Sequence, residues 1–271
     1  MARGVLIGRV PGLGDHACLD NMRKLIPKPL RFLWRELNSG ALRADISFLG
    51  RRWKRALAGE RSTITLQYRW DHTAPRWSLI QAVIDKYGFQ SYLEIGCAND
   101  ACFSRVRCDL KVGVDPVAGG TIRKTSDEFF ADSTQTFDCI FIDGLHTYEQ
   151  VRRDIDNALA ALSANGVILL HDCLPRTIGE QAVPREQWVW SGDVWKAIVE
   201  RRTQTEIDTA VCVTDHGVGV IVKRANTDLL DIPHRDFKGL LFADYAARHA
   251  ELMRPLGYRE TFGFIERDGY A

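Results

Sequence analysis

Four carboxylates in the middle of the chain, Glu94, Asp115, Asp143 and Asp172, each sit in or just after a short apolar run, and His146 stands three residues after Asp143. Like charges gathered in one crevice cost free energy unless a cation, a proton or a ligand compensates them. If the fold brings these groups together, two chemistries follow. Asp143 and Asp172 offer hard oxygen ligands suited to Mg²⁺, and a neutral His146 imidazole can take the proton of a hydroxyl. Asp115 closes the second short strand, where an acid in a nucleotide-binding sheet accepts hydrogen bonds from two ribose hydroxyls. Taken singly, each carboxylate also reads as a helix N-cap or a loop hydrogen bond, His146 as a hydrogen bond at a helix N-terminus, and His171 as a buried structural residue.

The elements that must position these residues alternate along the chain. Trp77, Ile80, Val83, Ile84 and Tyr87 make one helix face, which Gly88 ends as a C-cap. Residues 91–95, 111–115, 137–143 and 167–172 read as strands. Between the last two, Thr147 and Gln150 form a capping box for a helix carrying Tyr148, Val151, Ile155, Leu159 and Leu162, closed by Asn165-Gly166. Strands and helices in this order predict βαβ units, a mostly parallel sheet and the α/β class. The end differs. After a helix opened by Ser191-Gly192, Ile207–Thr214 and Val218–Lys223 flank the short turn Asp215-His-Gly217, so they must pair antiparallel. Three parts result: a basic, mostly helical extension over 1–75, the α/β domain over 76–224, and a C-terminal extension over 225–271 with a helix-like stretch from Phe237 to Met253. Ligands of such sheets bind at the carboxyl ends of the parallel strands.

Composition sets the outer bounds. The chain has 271 residues, 45% of them hydrophobic and 26% charged, as in ordinary globular proteins and unlike disordered, fibrous or disulfide-scaffold chains. Its apolar runs are far short of the ~20 residues that span a bilayer, and Val5-Leu-Ile-Gly is too short for a signal-peptide core. Seven scattered cysteines without CxxC pairs fit reduced thiols in a cytoplasm. The net charge of +1 hides an asymmetry: residues 21–61 carry 11 Lys/Arg (23, 24, 28, 31, 35, 43, 51, 52, 54, 55, 61) against three acids (36, 45, 60). Leu30, Phe32, Leu33, Trp34 and Leu37, then Ile46, Phe48, Leu49, Trp53 and Leu57, mix with those charges at helical spacing. Such a segment suits a helical cap or a homo-oligomer contact with a solvated basic face, an anionic membrane surface, or a phosphorylated substrate. No nucleic-acid-binding motif accompanies it.

The loop after the first strand, Gly96-Cys-Ala-Asn-Asp-Ala, lacks the second and third glycines of GxGxxG, which disfavours a pyrophosphate cofactor and an NAD-dependent oxidoreductase. Tyr92-Leu-Glu-Ile-Gly-Cys97, Gly113-Val-Asp-Pro116, Thr125-Ser-Asp-Glu-Phe-Phe130, Phe137-Asp-Cys-Ile-Phe-Ile-Asp-Gly-Leu-His-Thr-Tyr148 and Val167-Ile-Leu-Leu-His-Asp172 resemble a class I S-adenosylmethionine-dependent methyltransferase with a Rossmann-like sheet. Within that superfamily the chain resembles small-molecule O-methyltransferases with a DG-x-H-[ST]-Y motif, including enzymes that act on macrolide sugars. The resemblance covers residues 76–224.

It implies that Glu94, Gly96 and Cys97 belong to the loop under the methionine part of S-adenosylmethionine. Asp115, with Pro116 beside it, would hold the ribose, Ser126 and Asp127 would approach the adenine, and Asp143 would border the same site. It also implies a divalent cation on Asp143 and Asp172, with His146 as general base. Only Pro116 to Lys124 separate the second strand from Thr125, so the helix usual at this place is lost or reduced. The function expected is methyl transfer to a hydroxyl of a sugar or other small metabolite. A non-catalytic cofactor-binding or assembly protein is the second alternative beside the oxidoreductase. The aromatic run Gln187-Trp-Val-Trp190 and Trp195 are candidates for stacking on an acceptor, or for packing.

Overall fold

The computed structural model describes residues 40–71, 74–233 and 236–266. The chain divides into two compact units, Met1–Gly50 and Arg51–Ala271. In the first, only the start of helix α1 (Gly40–Leu57) is described, so the apolar positions from Leu30 to Leu37 lie outside the described residues.

In the second unit, α2 (Arg76–Tyr87) leads into β1 (Ser91–Ile95), then β2 (Leu110–Val114), α3 (Ser126–Asp132), β3 (Phe137–Ile142), α4 (Tyr148–Ala161) and β4 (Leu162–Leu170). The short α5 (Ile178–Gln181) and α6 (Trp195–Arg202) precede the hairpin of β5 (Asp208–Cys212) and β6 (Val218–Val222); α7 (Phe242–Met253), β7 (Pro255–Leu256) and α8 (Tyr258–Glu266) follow. The seven strands lie in the order β2-β1-β3-β4-β6-β5-β7. The first four pair in parallel, while β6 runs antiparallel to both β4 and β5. The hairpin is therefore where the spacing of the sequence puts it. The C-terminal extension adds β7 beside β5, in parallel.

Both faces of the sheet are covered, because successive side chains of a strand point to opposite sides. On one side Leu93, Ile95, Ile140, Ile142, Ile168 and Leu170 pack with residues of α4, α6 and α7. On the other, Tyr92, Cys139, Phe141, Val167 and Leu169 pack with α2 and α8. Between β2 and α3 there is no helix; a turn carries the chain to one bridge between Val114 and Ile122.

Two local expectations are corrected. Thr147 flanks α4, yet its side chain caps nothing: the Tyr148 N–H donates to Asp193 Oδ1 at 2.7 Å instead. A capping box does form at Thr125 and Glu128, ahead of α3. Asn165-Gly166 lies inside β4, which starts at Leu162 and shifts its register against β3 between Phe137 and Cys139. Leu66, Asp71 and Ala74 meet the sheet domain: the Leu66 N–H donates to the Arg176 carbonyl, and the Thr214 hydroxyl lies within hydrogen-bond reach of the Asp71 and Ala74 carbonyls.

Candidate active site

The carboxyl ends of β1, β2 and β3 frame a cavity of about 740 Å³. Its floor depends on one glycine. Gly96 has φ +89°, and a Cβ there would lie 2.2 Å from the Asp143 carbonyl oxygen, so only glycine lets the loop after β1 cross the end of β3 so closely. Asp115 fixes the neighbouring turn: Oδ2 accepts from the Ala98 N–H at 2.9 Å, and Oδ1 from Val117 and Ala118 at 2.7 and 2.9 Å. Burial opposes the charge on Asp115, but these amides, with Arg123 nearby, outweigh it and hold the carboxyl below its usual range. It is an anion that faces a cavity and is oriented by its own backbone.

Pro116, Ser126 and Asp127 line the same cavity. Gln150 brings the last two there, since its amide donates to Ser126 Oγ at 3.2 Å and Asp127 Oδ1 at 3.1 Å. Gln150 itself is a lining residue missed by the sequence reading, which used it as a cap. Glu94 and Cys97 border an adjoining cavity of about 280 Å³, together with Arg76 and His146; Gly96, Ala98, Asn99 and Asp143 line both. The Cys97 sulfur points into the fold, against Gly113 and Gly120. Glu94 is 1% exposed and accepts a 2.6 Å hydrogen bond from the Tyr92 hydroxyl. Burial raises its carboxyl to about 7, against the lowering effect of that hydrogen bond.

The ends of β3 and β4 carry the other half of the site. Asp143 Oδ1 lies 3.2 Å from His146 Nε2 and 3.1 Å from His171 Nδ1, and its Oδ2 is 3.5 Å from Arg76 Nε. Asp172, held at φ +61°, places Oδ2 3.1 Å from His146 Nδ1 and 3.4 Å from His171 Nδ1. The hairpin turn closes the far side, where His171 Nε2 meets the Asp215 carbonyl at 2.8 Å and Arg76 Nη1 meets Asp215 Oδ2 at 3.2 Å. Burial would push both imidazoles down and Asp143 up. The mutual attraction of the charges wins, so His146 is raised, His171 is raised well above its usual value, and Asp143 is lowered.

His146 is held from outside as well. Trp190 stacks on its ring at 5.4 Å and 25°, and Gly192 stands where a Cβ would clash with the His146 carbonyl. Trp195 is no acceptor platform: it is fully buried against Tyr245, with its indole N–H donating to Gln181 Oε1 at 3.1 Å. Arg76 and Asp215 are the site residues that sequence reasoning missed; His171, read there as a buried structural residue, is buried and sits between Asp143 and Asp215. The first two positions carried a signal, because the start of α2 and the β5–β6 turn both lie at the edge where the parallel strands end.

Among the described residues, Asp143, His146 and Asp172 form a group whose potential ligand atoms lie within 4.8 Å of one another. His146 Nδ1 is buried and, despite its closeness to Asp172, makes no hydrogen bond. The two carboxylates are hard oxygen donors that fit a divalent cation, in competition with His146, His171 and Arg76 for the same oxygens.

Residues 61–173 match a family model described as a methyltransferase domain, a span that includes β1 to β4. No curated protein matches the sequence. Among solved structures, an O-methyltransferase from Bacillus cereus in complex with SAH is similar at 13% identity and a TM-score of 0.43, over 75% of this chain and 100% of that one. An SAH-bound methyltransferase from Podospora anserina is similar at 18% identity and 0.42, over 81% and 100%. A putative caffeoyl-CoA O-methyltransferase from Staphylococcus aureus is similar at 15% and 0.43, over 75% and 100%. A parallel sheet closed by an antiparallel hairpin, with a glycine loop and an acid at adjacent strand ends, is a Rossmann-like architecture. The methyltransferase-domain match over residues 61–173 agrees with the resemblance to class I S-adenosylmethionine-dependent methyltransferases.

Proposed function

We propose that this protein transfers a methyl group from S-adenosylmethionine to a hydroxyl of a sugar or other small hydroxylated metabolite. The observation that carries the proposal is the junction of two cavities at Gly96 and Asp143: one is framed by Asp115, Ser126 and Asp127, the other ends on His146. Asp115 takes the ribose hydroxyls on the lone pairs its amides leave free, Ser126 and Asp127 border the adenine, and the methionine part runs over Gly96 towards Glu94. The methyltransferase-domain match over residues 61–173 supports this reading.

The electrophile is already activated as a sulfonium, so the protein has to align the acceptor and remove its proton. His146 does the second at Nδ1, the atom without a hydrogen-bond partner, while Asp143 orients the ring through Nε2. Asp143 and Asp172 would hold a divalent cation such as Mg²⁺, which supplies polarisation of the hydroxyl and offsets the negative charge that otherwise keeps His146 protonated. Trp190 and the half-buried Arg76–Asp215 pair fix the walls around the imidazole.

The test is calorimetry with S-adenosylmethionine and with NAD, followed by transfer of a labelled methyl group to a panel of hydroxylated sugars and phenols. Binding of the sulfonium cofactor with label on oxygen is expected. Preference for NAD would return the oxidoreductase alternative, and tight cofactor binding without transfer to any acceptor would return the non-catalytic one.

A further inference from the structure

A further cavity lies beyond the hairpin turn that closes the charged cluster. Among the described residues it is lined by Trp70, Asp71, Pro75, Arg176, Asp215 and His216, and it measures about 310 Å³. It touches the chemistry above through Asp215, which lines it and whose carbonyl meets His171 Nε2 at 2.8 Å. Its walls are held by backbone: the Leu66 N–H donates to the Arg176 carbonyl at 2.9 Å, the Asp71 N–H to the Val213 carbonyl at 3.2 Å, and the Ala74 N–H to the Asp71 carbonyl at 3.2 Å. The half-buried Trp70 leans on Tyr68, with 5.0 Å between ring centres, and on His216 at 6.0 Å. Tyr68 is tied in turn to Tyr245 by a hydrogen bond of 2.7 Å between the two hydroxyls.

We propose that this cavity is a subsite for a neutral sugar ring of the acceptor, with the indole of Trp70 against the apolar face of the ring and the polar groups around it on the hydroxyls. The lining decides the chemistry. Arg176 donates to Glu180 Oε1 from Nε at 3.0 Å and from Nη2 at 2.6 Å, and Asp215 accepts from Arg76 Nη1 at 3.2 Å, so these charges are balanced within the chain and call for no counter-ion. An apolar ligand fits no better. Four of the six lining residues, Asp71, Arg176, Asp215 and His216, are ionisable, and such a ligand would take water from them and return no hydrogen bond. An uncharged ring with many hydroxyls and a C–H face meets both conditions, because its hydroxyls donate to carboxylates, accept from guanidinium and imidazole N–H groups, and leave the face to cover the indole. The volume lies at the lower end of the range for small-ligand sites, about 300–1,000 Å³, and takes one ring. Walls ordered in advance keep the entropic cost of binding low. Calling the ring part of the acceptor rests on the methyl-transfer reading; the binding of the ring does not.

The full chain is to be titrated with the methyl glycosides of glucose, galactose and rhamnose by saturation-transfer NMR, with phenol and inorganic phosphate alongside. Binding of at least one glycoside is expected, with the strongest transfer on the C–H protons of one ring face, and none of phosphate. Trp70→Ala should weaken the glycoside by about tenfold or more, while Trp70→Phe keeps a ring face and should cost about threefold or less. His216→Asn should weaken it about two- to tenfold, since Asn tolerates the left-handed backbone at this position, φ +64°. Circular dichroism shows whether each variant folds, and the Phe and Asn variants keep the test open should the Ala variant fail to do so. No glycoside binding, binding that Trp70→Ala or His216→Asn leaves intact in the folded protein, or tighter binding of phosphate or phenol overturns the proposal. Calorimetry with S-adenosylmethionine separates the two readings: a chain that binds the glycoside through Trp70 and not the cofactor keeps the sugar subsite and loses methyl transfer.

Discussion

The two halves of the cleft are built from different materials. Around Asp115 the site is backbone: three amides hold one carboxylate, and a glycine turn brings β1 against β3. Around His146 it is side chain: two aspartates, two imidazoles and an arginine balance one another within single hydrogen-bond lengths. In the first half, losing the one carboxylate frees three amides of a single turn. In the second, removing one partner leaves another charge buried and uncompensated.

The largest effect is therefore expected at His146. His146→Ala should lower turnover by about 10²–10⁴-fold while cofactor affinity stays nearly unchanged, since the proton moves only in the transition state. Turnover measured with and without chelator sharpens the assignment. Asp143→Asn and Asp172→Asn should lose whatever dependence on a divalent cation the native enzyme shows, and Asn tolerates the left-handed backbone at position 172. Wild-type turnover in His146→Ala would leave alignment as the main device of this half. Full activity in chelator would remove the cation.

On the backbone side the expected loss falls on binding. Asp115→Ala removes the acceptor of the ribose hydroxyls and three loop amides' partner, and should weaken S-adenosylmethionine by about 1.5–3 kcal/mol in calorimetry. The three amides lose their acceptor as well, so the melting transition should fall together with the affinity. Unchanged affinity would contradict the assignment of the ribose to Asp115.

This difference in material also explains what could be read from sequence. Buried parallel strands are short apolar runs, so Ser91–Ile95 and Phe137–Ile142 stand out, and the acids that close them come with them. The hairpin was legible because a turn as short as Asp215-His-Gly217 leaves no room for a crossover. Pairings between distant residues left no such mark: Arg76 meets Asp143 and Asp215 only because α2 begins where those strands end. Local capping patterns misled for the same reason. Thr147 with Gln150 satisfies the pattern, but Asp193, far along the chain, takes the helix terminus, and Gln150 is drawn away to Ser126 and Asp127.

Glu94 lies where the two halves meet and tests both. Its carboxyl is raised to about 7 in the folded protein, from an ordinary value of 4.5. The folded state therefore binds a proton that the unfolded state has released between those values, and stability falls as pH rises through that window. Glu94→Gln keeps an acceptor for Tyr92 and removes the charge. It should be more stable than the native chain by about 1–2 kcal/mol above neutrality and nearly equal to it in acid, as read by denaturant titration at several pH values. A parallel pH profile for the two proteins would show that Glu94 titrates in the folded protein as it does in the unfolded chain. If the ammonium of the cofactor lies beside Glu94, binding near neutrality should also expel a fraction of a proton, measurable as a buffer-dependent heat.

The smallest effect is expected at Trp190, and it asks whether the charged half needs an outer wall. Trp190 touches His146 by stacking, and its indole N–H is tied to the Ala182 carbonyl at 2.6 Å, so the ring is fixed from the loop side. Stacked aromatic contacts are worth about 0.5–1.5 kcal/mol. Trp190→Ala should therefore lower kcat by about two- to tenfold by freeing the imidazole, whereas Trp190→Phe keeps a ring face and should recover most of it. The split between kcat and KM decides what the indole does. A loss confined to kcat and restored by Phe makes Trp190 a positioning residue for His146. A rise in KM for the acceptor, with kcat held, would mean that the indole faces the substrate and that the His146 ring is kept in place by its carboxylates alone.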